Sequence, residues 1–110
     1  MENKYIAVFV TAANISEAKK IAAEVLHNKL AACANIVKGV ESSYWWRGKI
    51  EKSYEAMVIM KTRGRLMKKL TLAVKKVHSY SVPEIIAVPI ASGSPDYLKW
   101  IDESVGATRP

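Results

Sequence analysis

The sequence is poor in the residues that build disulfide frameworks, zinc fingers and flexible linkers. Its 110 residues include one cysteine, two histidines, five glycines and four prolines. Because Cys33 has no second cysteine to pair with, the chain has no internal disulfide and no CxxC motif for a structural zinc site. With half of its residues hydrophobic, it is predicted to form a single globular domain spanning residues 1–110.

Long apolar runs are also missing. No segment reaches the roughly 18 consecutive apolar residues that a membrane helix needs. The opening stretch MENKYIAVFVTA lacks the basic start and the long apolar stretch of a signal peptide. These features predict a soluble, cytoplasmic protein with no membrane partner.

Acidic residues are absent from one long segment of the chain. Seven Lys and Arg residues and no Asp or Glu lie between Glu55 and Glu84, and this segment carries the whole net charge of +7. A basic helix face can contact phosphate, but a solvated face is the usual meaning of such a run. The predicted strands lack the aromatic pattern of an RNA-recognition motif, so nucleic acid is not the expected partner.

Catalytic motifs are equally scarce. The sequence has no GxSxG, no glycine-rich phosphate loop, no HExxH and no motif that pairs two carboxylates. We therefore predict that the protein is not an enzyme and acts by binding.

The hydrophobic patterns predict seven elements in the order β α β β α β α. Asn14 and Glu17 are spaced as a capping box at the start of the first helix, and Thr62 is the predicted N-cap of the second. Ser94 and Pro95 form a standard start for the third. The predicted segments are residues 4–11, 12–29, 30–46, 49–62, 62–78, 81–90 and 92–105.

This order predicts an α+β ferredoxin-like sandwich, an antiparallel sheet with its helices on one face. Pro89 cannot donate to a strand ladder, which places the last strand at an edge. Gly48 supplies the positive φ of a tight turn between the two long strands, and Gly39 is predicted to mark either a bulge or a close backbone approach.

The length of the central hairpin predicts self-association. A strand over residues 30–46 spans about 55 Å at roughly 3.3 Å per residue, whereas a helix of fourteen residues covers about 21 Å. The hairpin must therefore project beyond its own helices, with Tyr44, Trp45 and Trp46 at its tip. Large aromatic side chains on an uncovered ribbon indicate an interaction surface, and pairing with a second subunit protects the exposed edge.

Several short motifs together resemble one known family. KLAACANI, YWWRGKIE, MKT before a helix, HxYxVPEII, PI and YLKW occur in the order and spacing of the CutA divalent-cation tolerance proteins, over residues 5–103. The resemblance implies a ferredoxin-like protomer whose long hairpins interlock into a homotrimer, similar in architecture to the PII signalling proteins. It also implies a role in tolerance to copper or another divalent cation, and some members are described as binding copper.

His78 and Cys33 are the candidate metal ligands. Imidazole suits copper and zinc, but a histidine at a helix C-terminus also interacts favourably with the helix dipole. Cys33 is a soft donor for Cu(I), although a cysteine in a strand is commonly a small buried hydrophobe. The chain has Ser79 and Ser81 where the family pattern commonly has proline and a carboxylate. Val10 stands where some members carry a cysteine. This chain therefore has only some of the residues of any copper site that it shares with those members.

A ligand pocket between subunits is the second candidate site. We expect it to be formed by strand ends and hairpins that meet in the trimer implied by the resemblance. These groups could equally satisfy one another's hydrogen bonds at an interface. The alternative functions are a PII-like sensor that binds a small anionic ligand through Lys61 and the lysines of the second helix, and a structural trimer that presents a surface to a partner protein. The predicted pocket residues are Thr11, Asn35, Trp46, Lys61, Tyr80 and Glu84.

Overall fold

The computed structural model describes residues 4–106, so the ends of the predicted 1–110 domain lie outside the described residues. The predicted element order is confirmed. Within the described range, no helix is long and apolar enough to span a membrane. The strands are β1 (Tyr5–Ala12), β2 (Cys33–Trp46), β3 (Lys49–Arg63) and β4 (Ile85–Pro89). The α-helices are α1 (Ile15–His27), α2 (Met67–Val77) and α3 (Pro95–Ser104), and a short 3₁₀ turn (Gly64–Leu66) precedes α2.

The four strands form one antiparallel sheet in the order β2-β3-β1-β4, which confirms the ferredoxin-like topology. As predicted, β4 is an edge strand, and its Pro89 lies opposite Ile6. Alternate residues of β1 and β3 pack with α1 and α2 into the main core, which includes Val8, Val10, Ile21, Val58 and Leu70.

The third helix corrects the prediction that all helices share one face of the sheet. Tyr5 and Arg63 are paired across β1 and β3 on the face that points away from α1 and α2, and both bind Asp102 of α3. Helix α3 therefore covers one end of the opposite face. The apolar residues in and just after this helix do not form one buried face. Ile101 and Val105 are buried, whereas Tyr97 and Trp100 remain exposed.

The predicted cap of α1 is present with one difference. The Asn14 side chain accepts a hydrogen bond from the Glu17 amide at 2.8 Å. In return Glu17 Oε1 accepts from the Ala13 amide, one residue before the N-cap, at 2.8 Å. This leaves Glu17 Oε2 available to a distant part of the chain.

The predicted cap of α2 is wrong. Thr62 remains in β3, fully buried, and its hydroxyl donates to the Leu30 carbonyl at 2.7 Å. Strand β3 continues through Arg63, and α2 begins only at Met67. The tertiary hydrogen bond to Leu30 outweighs the local capping preference of threonine.

The hairpin projects beyond the rest of the sheet, as its length predicts. Pairing of β1 with β3 stops at Ala12 opposite Ala56, whereas β2 and β3 remain paired up to Trp46 opposite Lys49. The outer part is therefore a two-stranded ribbon, residues 40–55. The molecule measures 48 Å along its longest axis and 26 Å along the next.

Both glycine predictions for the hairpin are confirmed. Gly48 has a φ of 79° in the tight turn, where Arg47 also has a positive φ of 52°. Gly39 has a φ of 67° and lies at the bulge where the register shifts between Val37 and Val40.

Candidate ligand cavity at the base of the ribbon

His78 begins the irregular segment that connects α2 to β4, and both of its ring nitrogens are engaged. Nε2 lies 2.7 Å from the Thr11 carbonyl oxygen, and Nδ1 accepts a hydrogen bond from the Tyr80 amide at 3.0 Å. Because an amide can only donate, Nδ1 is unprotonated and Nε2–H donates to Thr11. A metal ion at either nitrogen would displace one of these bonds.

Glu17 fastens the same segment to α1. Its Oε2 accepts a hydrogen bond from the Ser79 amide at 2.6 Å, while Oε1 holds the Ala13 amide. Burial alone would raise the pKa of this carboxyl, but the hydrogen bonds from Ala13 and Ser79 outweigh it and hold the pKa of Glu17 below its usual value. Ser79 stands where the family pattern commonly has proline, which has no backbone N–H. The serine therefore provides a donor to Glu17 that a proline would lack.

Tyr80 reaches across to β3. Its hydroxyl donates to Glu55 Oε2 at 2.6 Å, and its ring lies 4.8 Å from the His78 ring, centroid to centroid. Burial and the bond to Glu55 raise the pKa of Tyr80 far above its ordinary value, so the phenol stays protonated.

One wall of a cavity of about 460 Å³ is formed by Tyr80, Ser81, Val82 and Glu84. The ribbon forms the opposite wall, and the end of β1 closes the base. The cavity is lined by Thr11, Ser42, Ser43, Tyr44, Trp46, Glu55, Tyr80, Ser81, Val82 and Glu84.

Four of the six predicted pocket residues line this cavity, and two do not. Thr11, Trp46, Tyr80 and Glu84 belong to it. Asn35 and Lys61 lie elsewhere, on the neighbouring strands β2 and β3, where the Lys61 ammonium donates to the Asn35 side chain. Lys61 is therefore not part of this cavity, and the alternative of a small anionic ligand in a cleft between subunits stays a prediction.

Sequence reasoning identified Glu84 but missed Glu55, the other acidic residue of the cavity, and much of the cavity wall. The alternation of apolar and polar residues along β3 predicts that Glu55 lies on the sheet face opposite the core. In the structure the Tyr80 side chain, 25 positions away in sequence, covers Glu55 and leaves it only 9% exposed. The alternation of β2 did carry a signal, since Ser42, Tyr44 and Trp46 share one face of the ribbon.

The two predicted metal ligands are not brought together by the fold. Cys33 Sγ lies 3.6 Å from the Tyr97 hydroxyl on the sheet face that α3 partly covers, far along the sheet from the His78 corner. Among residues 4–106, no group of three His, Cys, Asp or Glu side chains could hold a metal ion. The donor set of one copy therefore does not fit a resident metal.

Comparison with known proteins agrees with the sequence motifs and the fold. Residues 6–104 match the model of the CutA1 divalent ion tolerance protein family. The chain belongs to the CutA1 family. A chloroplastic CutA protein from rice (Oryza sativa) is 48% identical over 99 residues, which cover 90% of this chain and 56% of the rice protein. The chain thus spans little more than half the length of that relative.

Solved CutA structures share the same architecture. The crystal structure of CutA1 from Oryza sativa superposes with a TM-score of 0.92 at 44% identity, covering 97% of this chain and 98% of that one. A CutA from Archaeoglobus fulgidus, described as periplasmic, gives a TM-score of 0.90 at 42% identity, covering 93% and 99%.

These relatives overturn the prediction of a cytoplasmic location. CutA proteins with the same domain are described as chloroplastic in rice and periplasmic in Archaeoglobus. The prediction depended on the absence of a leader and a membrane span, but the fold of the domain is shared across compartments. Its core and surface therefore do not determine location.

Proposed function

We propose that this CutA1 family member acts in divalent-cation tolerance as a homotrimeric binding protein and not as an enzyme. The observation that carries the proposal is an apolar sheet face left uncovered next to a projecting ribbon. Both features need a second copy of the chain to bury them.

The uncovered face lies opposite the main core. Phe9 is paired with Ile59 on one side and Ile86 on the other, and Met57 is paired with Val37 on the same face. Ile86 is 51% exposed, Val88 46% and Val37 44%. Contiguous apolar surface of this kind is characteristic of a protein interface, since burying it removes about 25 cal/mol per Å².

The ribbon gives the association its geometry. It extends past the end of β1 with unpaired edges, and on its face away from the cavity it exposes Trp45, Ile50 and Tyr54. When the ribbon of one copy docks on the next, the contact joins two different surfaces, and such contacts form a closed ring when the rotation between successive copies closes. A ring of three copies agrees with the PII-like architecture implied by the family resemblance.

The engaged state of the polar groups supports binding over catalysis. His78 uses both nitrogens for backbone groups, and Tyr80 is a protonated donor to Glu55. Neither side chain is free to act as a general base or nucleophile in this arrangement.

Direct binding of copper or another divalent cation requires donors from more than one copy, because residues 4–106 of one copy do not bring three donors together. Cys33 is the better placed of the two candidates, since it lies on the sheet face that the proposed trimer uses. His78 contributes only after releasing Thr11 or Tyr80.

Calorimetric titration of Cu(II), Cu(I) and Zn(II) tests this role. The full chain is compared with Cys33→Ser and His78→Ala at protein concentrations where sedimentation shows the same assembly. We expect Cys33→Ser to weaken Cu(I) binding by at least about tenfold, which is the loss of about 1.4 kcal/mol. Absence of binding in the micromolar range, or equal affinity in all three proteins, contradicts direct metal binding.

A further inference from the structure

The cavity has a charge opposite to that of the chain. Glu55 and Glu84 are in its lining, and none of the described lining residues is Lys, Arg or His. The chain as a whole carries a net charge of +7. A concave site with acidic groups on a basic protein repels anions and concentrates cations.

Glu55 is only partly satisfied by its neighbours. It is 91% buried by relative exposure, and its Oε2 accepts from the Tyr80 hydroxyl. Among residues 4–106, no donor is hydrogen-bonded to its second oxygen. Neither oxygen of Glu55 is among the buried side-chain atoms that lack a partner, so the second oxygen is open to solvent and can accept a hydrogen bond from a ligand in the cavity.

The aromatic walls select the kind of cation. Trp46, Tyr44 and Tyr80 present ring surface to the cavity. The Arg47 guanidinium carbon already lies 5.6 Å from the centroid of a Trp46 ring, which shows that this side chain accommodates a positive charge. A bare metal ion is not bound by the apolar faces of aromatic rings and prefers several oxygen ligands.

We propose that the cavity binds a protonated aliphatic amine. The ammonium group donates hydrogen bonds to Glu55, with Glu84 as a second acidic partner for a diamine, and the alkyl chain packs on Trp46 and Tyr44. A volume of about 460 Å³ is within the usual size of small-molecule sites. The proposal goes beyond the metal-tolerance role and does not depend on it, because the metal titration involves Cys33 and His78.

Calorimetric titration of the full chain with cadaverine and spermidine tests the proposal. We expect saturable binding that Glu55→Gln weakens by at least about tenfold, since the variant replaces a charge-assisted hydrogen bond with a neutral one. Glu84→Gln should lower the affinity for the diamine more than for a monoamine such as butylamine. Glu41→Gln is the matched control, because it removes the same charge from the opposite face of the ribbon, where Glu41 is paired with Tyr54.

A second pair of variants tests the aromatic wall. Trp46→Leu should weaken cadaverine binding by about fivefold, the cost of a lost cation–π contact near 1 kcal/mol. Trp100→Leu changes the same residue type on α3, outside the cavity lining, and should leave binding unchanged. If Glu55→Gln does not fold, as judged by circular dichroism, the Glu84 and Trp46 variants decide the question.

Three results overturn the proposal. The first is the absence of amine binding up to millimolar concentration. The second is unchanged affinity in the cavity variants, which places the amine elsewhere. The third is tighter binding of tetramethylammonium than of the amines, because that cation has no N–H to donate to Glu55.

Discussion

Asp102 shows how single side chains attach α3 to the sheet. It accepts a hydrogen bond from the Tyr5 hydroxyl at 2.6 Å and forms an ion pair with Arg63, whose guanidinium carbon lies 4.4 Å from the Tyr5 ring centroid. Burial alone would raise the pKa of Asp102, but the bonds from Tyr5 and Arg63 outweigh it, and the pKa is lower than the ordinary 3.8.

This arrangement predicts an acid-dependent contribution to stability. A carboxyl with a lowered pKa in the folded state stabilises the fold above the pKa of the unfolded chain, and the contribution is lost as pH falls through the folded value. Asp102→Asn should lower the free energy of unfolding at pH 7 by up to about 1 kcal/mol, because the pair is partly exposed and screened by solvent.

Urea unfolding at pH 7 and pH 3, at one fixed protein concentration, measures this effect. The difference between wild type and Asp102→Asn should shrink at the lower pH. Glu103→Gln, on the same helix and exposed, is the control and should change little. A difference that is the same at both pH values would show that Asp102 contributes only through packing.

At the scale of the element, the bulge and the turn of the β2–β3 hairpin each contain a glycine with a positive φ, Gly39 and Gly48. A Cβ added at Gly39 or Gly48 would meet no atom within 4 Å. Both residues nevertheless have positive φ values, where side chains other than glycine are strained. The shape of the ribbon is therefore set by backbone conformation.

Gly48 gives a direct test of this argument. Gly48→Ala should lower the free energy of unfolding by about 1–2 kcal/mol through backbone strain alone. Gly48→Asn should cost less, because asparagine tolerates the left-handed region. Chemical denaturation of the three proteins provides the comparison, and equal stability of the Ala and Asn variants would contradict the backbone explanation.

At the scale of the whole molecule, the distribution of apolar surface decides whether the chain remains alone. The main core lies between α1, α2 and one face of the sheet, and α3 covers only one end of the other face. In the proposed trimer, another copy of the chain buries the remaining apolar surface of this face.

A charge placed on that surface should dissociate the assembly. Analytical ultracentrifugation at micromolar concentration should give the wild type a mass of three times 12.2 kDa. Ile86→Glu should shift the mass towards one copy, since a buried unpaired carboxylate is strongly unfavourable. Leu72→Glu, at an exposed position on α2, should leave the trimer intact. A monomeric wild type would refute the proposed assembly.

The sequence by itself determined the element order, the edge position of β4, the turn at Gly48, the bulge at Gly39 and the projecting hairpin. These follow from hydrophobic period, from φ restrictions and from rise per residue, which are local properties of the chain. Its motifs also indicated the family. Tertiary structure decided that Thr62 bonds Leu30 instead of capping α2, that α3 covers the opposite face, and that Glu55 lies buried beneath Tyr80. Those outcomes depend on contacts between residues distant in sequence, whose energies exceed the local preferences that a single sequence displays.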